Sequence, residues 1–209
     1  MTGPLLTLLA VAAYGALHSV LASRWAKRRA RQALGPAADR FYRLIYNLVG
    51  GVTLLPVLAV VGLEPGEILY RFPLPWSVIA LVGQALAALV VLLGLLQTDP
   101  QHFLGLRQLV QGSEGPPPTL VVSGLYRWVR HPLYSAGLVF LWLTPWMTTS
   151  MLAFCFGATL YILIGSAFEE RRLLAEFGQA YADYRRRVPR LIPRMGRRTA
   201  DHGPRTADR

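Results

Sequence analysis

GLYRWVRHPLY, residues Gly124–Tyr134, is followed after a mostly apolar interval by FEERRLLAEFGQAYADYRRRVPRLIP, residues Phe168–Pro193. The interval is long enough to fold as a helical hairpin. A hairpin would return the second stretch to the first, so the two are expected to form the halves of one site at an end of a membrane bundle. The remainder of the chain reads as the scaffold for that site.

Composition supports a membrane scaffold. The chain has 209 residues, 53% of them hydrophobic and only 16% charged. The apolar residues lie in runs near the length of a bilayer span, not in the stripes of soluble helices. Spans are expected over Leu5–Leu21, Leu44–Leu63, Trp76–Leu96, Leu133–Trp146 and Met151–Phe168. The fold class is therefore all-α, an integral membrane protein of about five transmembrane helices. The fourth run has 14 residues, about 21 Å as a helix, against a core of roughly 30 Å. It must borrow from its flanks or lie in a thinned or protein-lined region. The first run begins almost at Met1 with its charges after it, the reverse of a secretory signal, and reads as a retained span.

The net charge of +11 is distributed as a membrane topology requires. Seven basic residues fall between spans one and two, within the amphipathic connector Ser23–Arg43. Arg107, Arg127 and Arg130 fall between spans three and four, and eleven follow span five. Arg71 alone falls between spans two and three. The expected orientation is N-terminus outside and C-terminus cytoplasmic, in a multi-pass protein of the bacterial inner membrane. This distribution accounts for the charge without nucleic acid. Cys155 is the single cysteine and lies in an apolar run, so no disulfide within the chain and no metal cluster is expected. The chain divides into a three-span scaffold (1–96), a cap loop, hairpin and C-terminal helix carrying the site (97–193), and a disordered basic tail (194–209).

Several polar residues inside spans have a structural reading. Gln84 reads as interhelical glue, Asn47 needs a partner in the bundle, and His18 reaches headgroup level near the end of span one. Gly50, Gly51 and Pro56 interrupt span two. The polar stretch Gln97–Val129 holds two patterned pieces, HFLGLRQLV and TLVVSGLYRWV, expected to form a partly ordered cap. Glu169–Val188 is expected to be a charged helix, apolar on one face and able to lie on the membrane surface.

The chemistry sits in Arg130-His131-Pro132-Leu133-Tyr134 and Glu169-Glu170. Pro132 steers His131 out of helical geometry and starts a helix whose free N–H groups favour an anion. Two adjacent carboxylates where a span ends need a cation or hydroxyl groups. A ligand can supply these, as can Arg171, Arg172 or Arg130.

The ordered pattern of a glycine-aromatic step, RHPxY, an apolar hairpin, EE, FGxxYxxY and a closing proline resembles the membrane methyltransferases related to isoprenylcysteine carboxyl methyltransferase and phosphatidylethanolamine N-methyltransferase. It covers Ser123–Pro193, about a third of the chain. More narrowly, HFLGLRQL, RHPLY, TPWMT and the stretch from Glu169 are similar to methanethiol S-methyltransferases. That resemblance implies S-adenosyl-L-methionine as the methyl donor and a small thiol as acceptor. It implies that His131 and Tyr134 contact the donor and that Glu169 and Glu170 hold its ribose or amino group. Gly124, Leu125 and Tyr126 would let backbone approach the adenosine, and Tyr181 and Tyr184 would close the site. Arg130 would serve the carboxylate or orient the acceptor, with His131 as a possible base. The alternatives are carboxyl or N-methylation of a lipid-like substrate, a sterol-type reductase, or a non-enzymatic haem protein of the NnrU type with His18 as axial ligand. The reductase resemblance is weakened by the absence of an acid soon after Tyr134. The implied partners are an apolar acceptor and the bilayer. Oligomeric state is not readable.

Overall fold

A computed structural model of the chain describes residues 2–98, 101, 104–106, 109 and 119–194. Helix α1 (Thr2–Ala22) is followed by α2 (Arg24–Leu34), α3 (Pro36–Leu63), strand β1 (Ile68–Arg71) and α4 (Trp76–Gln97). A 3₁₀ turn at Gly124–Arg127 leads to α5 (Pro132–Trp142), strand β2 (Trp146–Thr148) and α6 (Thr149–Arg187). Four of these helices are long and apolar enough to span a bilayer: α1, α3, α4 and α6. Their large apolar side chains are mostly exposed, among them Leu5, Leu55, Leu86 and Phe156. In water such a surface would aggregate, whereas hydrocarbon solvates it.

The buried faces are made of small residues. Ala80, Ala87 and Gly94 on α4 recur every seventh residue and are buried, as are Gly50 and Val57 on α3. Small residues let helix backbones approach where lipid gives no hydrophobic incentive to associate. Leu133 of α5 packs its Cδ1 3.0 Å from where a Cβ on Gly94 would stand, and Leu143 does so 2.8 Å from Gly83. These contacts set α5 antiparallel along α4. The Gln84 amide donates to the Phe140 carbonyl at 2.9 Å, which is the interhelical role expected of it.

The short fourth span is completed by a strand. Helix α5 has 11 residues, about 16 Å. The chain beyond it turns at Leu143 and enters β2, whose extended backbone rises roughly 3.3 Å per residue. β2 pairs antiparallel with β1, in register Ile68↔Thr148, Tyr70↔Met147 and Arg71↔Trp146. The pairing satisfies backbone groups that could not face lipid alone. Arg71 lies 4.7 Å over the Trp146 ring. Ser150 Oγ donates to the Glu64 carbonyl at 2.5 Å, beside Gly3. This two-stranded ribbon occupies the two segments between apolar runs that carried no periodic pattern, with strands at Ile68–Arg71 and Trp146–Thr148.

Two expected boundaries move. Helix α3 begins at Pro36, so most of the basic connector is helical: α2, capped by Ser23, and then the first turns of α3. The fifth span runs on without a break into the charged segment as far as Phe177, and α6 kinks at Gly178 (φ 54°, ψ −127°), where a second, shorter helix begins. The charged part continues the span axis up to Gly178 and does not start anew. Thr149 to Glu169 is 20 residues, or about 30 Å, which brings the paired glutamates to the far edge of the bilayer core.

His18 stacks on Tyr46 at 4.4 Å and on Tyr14 at 5.2 Å, and its imidazole fills the space a side chain on Gly50 would need. Gly50→Ala is therefore expected to cost about 1–3 kcal/mol through overpacking, read as a lowered unfolding temperature in detergent. Gly51→Ala, with nothing within 4 Å, serves as the neutral comparison.

Of the first patterned piece of the cap, Leu104–Leu106 and Leu109 are described. Gly105 (φ +89°) is buried, and a Cβ there would meet the Leu44 backbone nitrogen at 2.7 Å. His102, Phe103, Arg107, Gln108 and Val110 lie outside the described residues, as does the tail from residue 195 onward.

Candidate active site

The start of α5 and the middle of α6 meet. Pro132 occupies the first turn of α5, and His131 is its N-cap with φ −126° and ψ 67°, away from helical geometry. That backbone aims the imidazole at α6. His131 Nε2 lies 3.3 Å from Glu170 Oε1, and Nδ1 lies 3.7 Å from Glu169 Oε2. A carboxylate only accepts, so the shorter contact makes Nε2 the donor and leaves the lone pair on Nδ1. The Tyr134 hydroxyl, one turn on, donates to Glu169 Oε2 at 2.9 Å, and its ring stacks on His131 at 5.4 Å.

Arg130 closes the cluster from the other side. Its Nε donates to Glu170 Oε1 at 2.7 Å and its Nη2 reaches the same oxygen at 2.5 Å. Nη1 donates to the carbonyls of Val188 (2.5 Å) and Arg185 (3.0 Å). The side chains of Arg130 and Glu170 are 9% and 12% exposed, so this pair is largely desolvated. Such a pair is held by the hydrogen bonds that Oε1 and the guanidinium make, and it fails badly when one partner is removed. Of the partners open to the glutamates, Glu170 has taken Arg130. Glu169 differs: its side chain is 43% exposed and keeps acceptor capacity beyond Tyr134.

Burial holds the His131 pKa below its ordinary value, against the opposing pull of Glu169 and Glu170. Between that depressed value and the ordinary 6.5, the folded chain binds fewer protons at His131 than the unfolded chain does. Stability from this group is therefore fully present above pH about 6.5 and falls as pH drops through that window. Unfolding temperature is expected to be flat from pH 7 to 8 and to decline below 6.5, with the His131→Gln variant showing a shallower decline.

Tyr181 and Tyr184, the residues expected to close the site, are packed into the helix junction. Tyr181 and Tyr184 are 1% and 4% exposed. The Tyr184 hydroxyl donates to the Tyr126 carbonyl at 2.7 Å, tying the Gly124–Arg127 turn to α6. The Tyr181 hydroxyl is buried near the Arg130 guanidinium without a well-formed hydrogen bond. Gly124 adopts φ +60°, and the group that approaches it is the Gln97 side chain, whose Oε1 accepts from the Leu125 N–H at 3.1 Å. The Tyr126 pKa is pushed up to about 12 by burial and then by Glu169, which keeps the phenol neutral.

Sequence reasoning missed the strap that follows α6. The Arg130 and His131 backbone N–H groups donate to the carbonyls of Pro189 (2.9 Å) and Arg190 (3.1 Å). Ser135 Oγ donates to Leu191 O at 2.6 Å, and Arg190 Nη2 reaches Leu163 O and Ser166 Oγ, each at 2.5 Å. The available signal was Pro189 and Pro193, which end a helix and impose an extended chain. Gln97 and Ser135 carried no signal of their own. Among the described residues no group of three or more potential metal ligands occurs.

No family model and no solved structure matches the chain. Curated relatives do. A methanethiol S-methyltransferase of Mycobacterium tuberculosis is 36% identical over 202 residues, covering 92% of this chain and 79% of the relative. Methanethiol S-methyltransferase 2 of Bradyrhizobium diazoefficiens is 48% identical over 107 residues, 48% of this chain and 41% of the relative. A mouse protein-S-isoprenylcysteine O-methyltransferase is 36% identical over 92 residues, 41% of this chain and 31% of the relative. An alignment that covers nearly the whole of this chain, and a distant likeness to the isoprenylcysteine enzymes, agree with a helical membrane bundle: the chain belongs to the methanethiol S-methyltransferase family of membrane methyltransferases.

Proposed function

We propose that the protein transfers a methyl group from S-adenosylmethionine to a small thiol such as methanethiol, at the cytoplasmic face of the membrane, with the N-terminus outside. The observation that carries this reading is Glu170 Oε1 shared by Arg130 and His131, which joins the two motif halves into one cluster. Relatives named for methanethiol supply the acceptor class. The concentration of basic residues in α2, early α3 and the end of α6 supports the orientation.

The residues fit a cationic donor. Glu169 is the exposed carboxylate of the cluster, with acceptor capacity for an ammonium or for hydroxyl groups. When bound, the donor supplies a methyl group already activated on a sulfonium, so catalysis is mainly alignment. The acceptor must lose its proton, because the thiolate is the nucleophile. His131 takes that proton at Nδ1. Its Nε2–H, held by Glu170, fixes the tautomer, and both carboxylates stabilise the imidazolium that results. Arg130 neutralises Glu170 and holds the strap across the start of α5. Carbon–sulfur bond formation yields the thioether and the demethylated donor.

Isothermal calorimetry of detergent-purified protein tests the donor site. Saturable S-adenosylmethionine binding that Glu169→Ala weakens is the expected result. Absence of binding by folded wild type would exclude the reading.

A further inference from the structure

The spans hold a second cluster, and it is aromatic. Tyr14 and His18 lie one turn apart on α1, Tyr46 lies on α3 and Tyr161 on α6, all partly buried. His18 stacks on Tyr14 and on Tyr46, and Tyr161 meets Tyr14 edge-on with ring centroids 6.0 Å apart. Glycines admit these rings. The His18 imidazole lies against Gly50, and Tyr161 Cδ2 lies 3.2 Å from where a Cβ on Gly15 would stand.

The cluster runs toward the reaction site. The Tyr161 hydroxyl is within electrostatic reach of Tyr46 and Tyr14, and the Tyr134 hydroxyl is within reach of Tyr161 and Tyr46. Tyr134 in turn bonds Glu169 and stacks on His131. Along α6, Glu169 stands eight residues beyond Tyr161, about 12 Å nearer the basic end of the bundle. At that end Tyr46 also lines a cavity of about 330 Å³ between α1, α2, α3 and α6.

One atom of the cluster has no structural use. Among the described residues, His18 Nδ1 is buried without a hydrogen-bond partner. A histidine kept only for packing is expected to have its nitrogens satisfied, because an unbonded polar atom inside a membrane bundle is costly. Aromatic faces with a single acceptor suit a small, polarisable ligand that donates weakly. A thiol is such a ligand: its S–H is a weak donor, and sulfur packs favourably on rings.

We propose that the space bounded by His18, Tyr46, Tyr161 and Tyr134 is the acceptor pocket, with His18 Nδ1 receiving the S–H of the entering thiol and the rings limiting the length of its alkyl group. The pocket rests on the methyl-transfer reading above. His18 and the rings position the acceptor, and the S–H proton leaves to His131 once the sulfur reaches the donor. The signature of the pocket is therefore acceptor selection, with donor affinity unchanged.

The full chain in detergent would be given methyl-labelled S-adenosylmethionine with methanethiol, ethanethiol or propanethiol, and kcat and KM measured for each thiol. Tyr161→Leu is expected to raise the propanethiol to methanethiol ratio of kcat/KM roughly tenfold or more, the discrimination that a methylene carries in an apolar pocket. Tyr46→Leu, on another helix, makes the same test if Tyr161→Leu fails to fold. His18→Phe keeps the ring and removes the acceptor, and should raise the methanethiol KM roughly fivefold with kcat nearly unchanged. His18→Gln, which restores an acceptor, should recover most of that loss. Trp142→Leu removes a ring that packs on Phe156 near the other end of α5, and should leave the thiol ratios unchanged. Lower rates with wild-type thiol ratios in the tyrosine variants would reduce the rings to packing and overturn the proposal. So would an unchanged methanethiol KM in His18→Phe. Either result leaves the methyl-transfer reading standing, whereas folded wild type that methylates no thiol removes that reading and the pocket with it.

Discussion

Glu170→Ala is expected to abolish methyl transfer and to lower the unfolding free energy by about 3–5 kcal/mol, the cost of leaving a buried guanidinium without its carboxylate. Among the described residues no second acid pairs with Arg130: its remaining bonds go to backbone carbonyls of Arg185 and Val188. Loss of Glu170 also frees His131 Nε2, so the imidazole loses both its tautomer and its orientation. Denaturant unfolding in detergent gives the stability change, and labelled methyl transfer gives the activity. Glu176→Ala is the control. Glu176 pairs with Arg172 at 3.7 Å on an exposed face, and exposed pairs contribute little. Equal effects from the two substitutions would contradict the account.

Arg130→Lys is expected to be nearly as severe, although it keeps the charge. The guanidinium grips Glu170 through Nε and Nη2 while Nη1 bridges two carbonyls of the strap. A single ammonium cannot span both sides of that fork. The strap, held by the Arg130 and His131 N–H groups, would loosen and let the cluster shift. Displacement of a positioned group by about 1 Å costs roughly a hundredfold in rate. Activity should fall by about that factor, and hydrogen exchange at the backbone amides of residues 130 and 131, which donate to the strap, should quicken. A fully active Arg130→Lys variant with a protected strap would show that the fork is dispensable.

The fold class and the meeting of RHPLY with the paired glutamates were legible in the sequence; parts of the architecture around them were not. RHPLY and the paired glutamates are read correctly as partners because a proline-started helix and a span end can meet only if the intervening chain doubles back. The apolar runs fixed α1, α4 and the spanning part of α6 for the same reason, since length and hydropathy are enough where lipid is the solvent. The ribbon was not legible. ILYR and WMT lie far apart in the chain, and neither four nor three residues carry a periodicity that distinguishes strand from loop. Nor was the continuity of α6, because the switch from apolar to charged sequence at Glu169 marks a change of solvent, not a change of backbone. The strap was missed because its bonds are backbone to backbone, and no residue type announces those.

The most direct measurement is methyl transfer itself. Detergent-purified protein would be given methyl-labelled S-adenosylmethionine and methanethiol, and the headspace assayed for labelled dimethyl sulfide. The account expects labelled product from wild type and its near-complete loss in His131→Ala. Folded wild type that binds the donor yet forms no labelled thioether, or a His131→Ala variant that forms it at the wild-type rate, would contradict thiol methylation at this cluster.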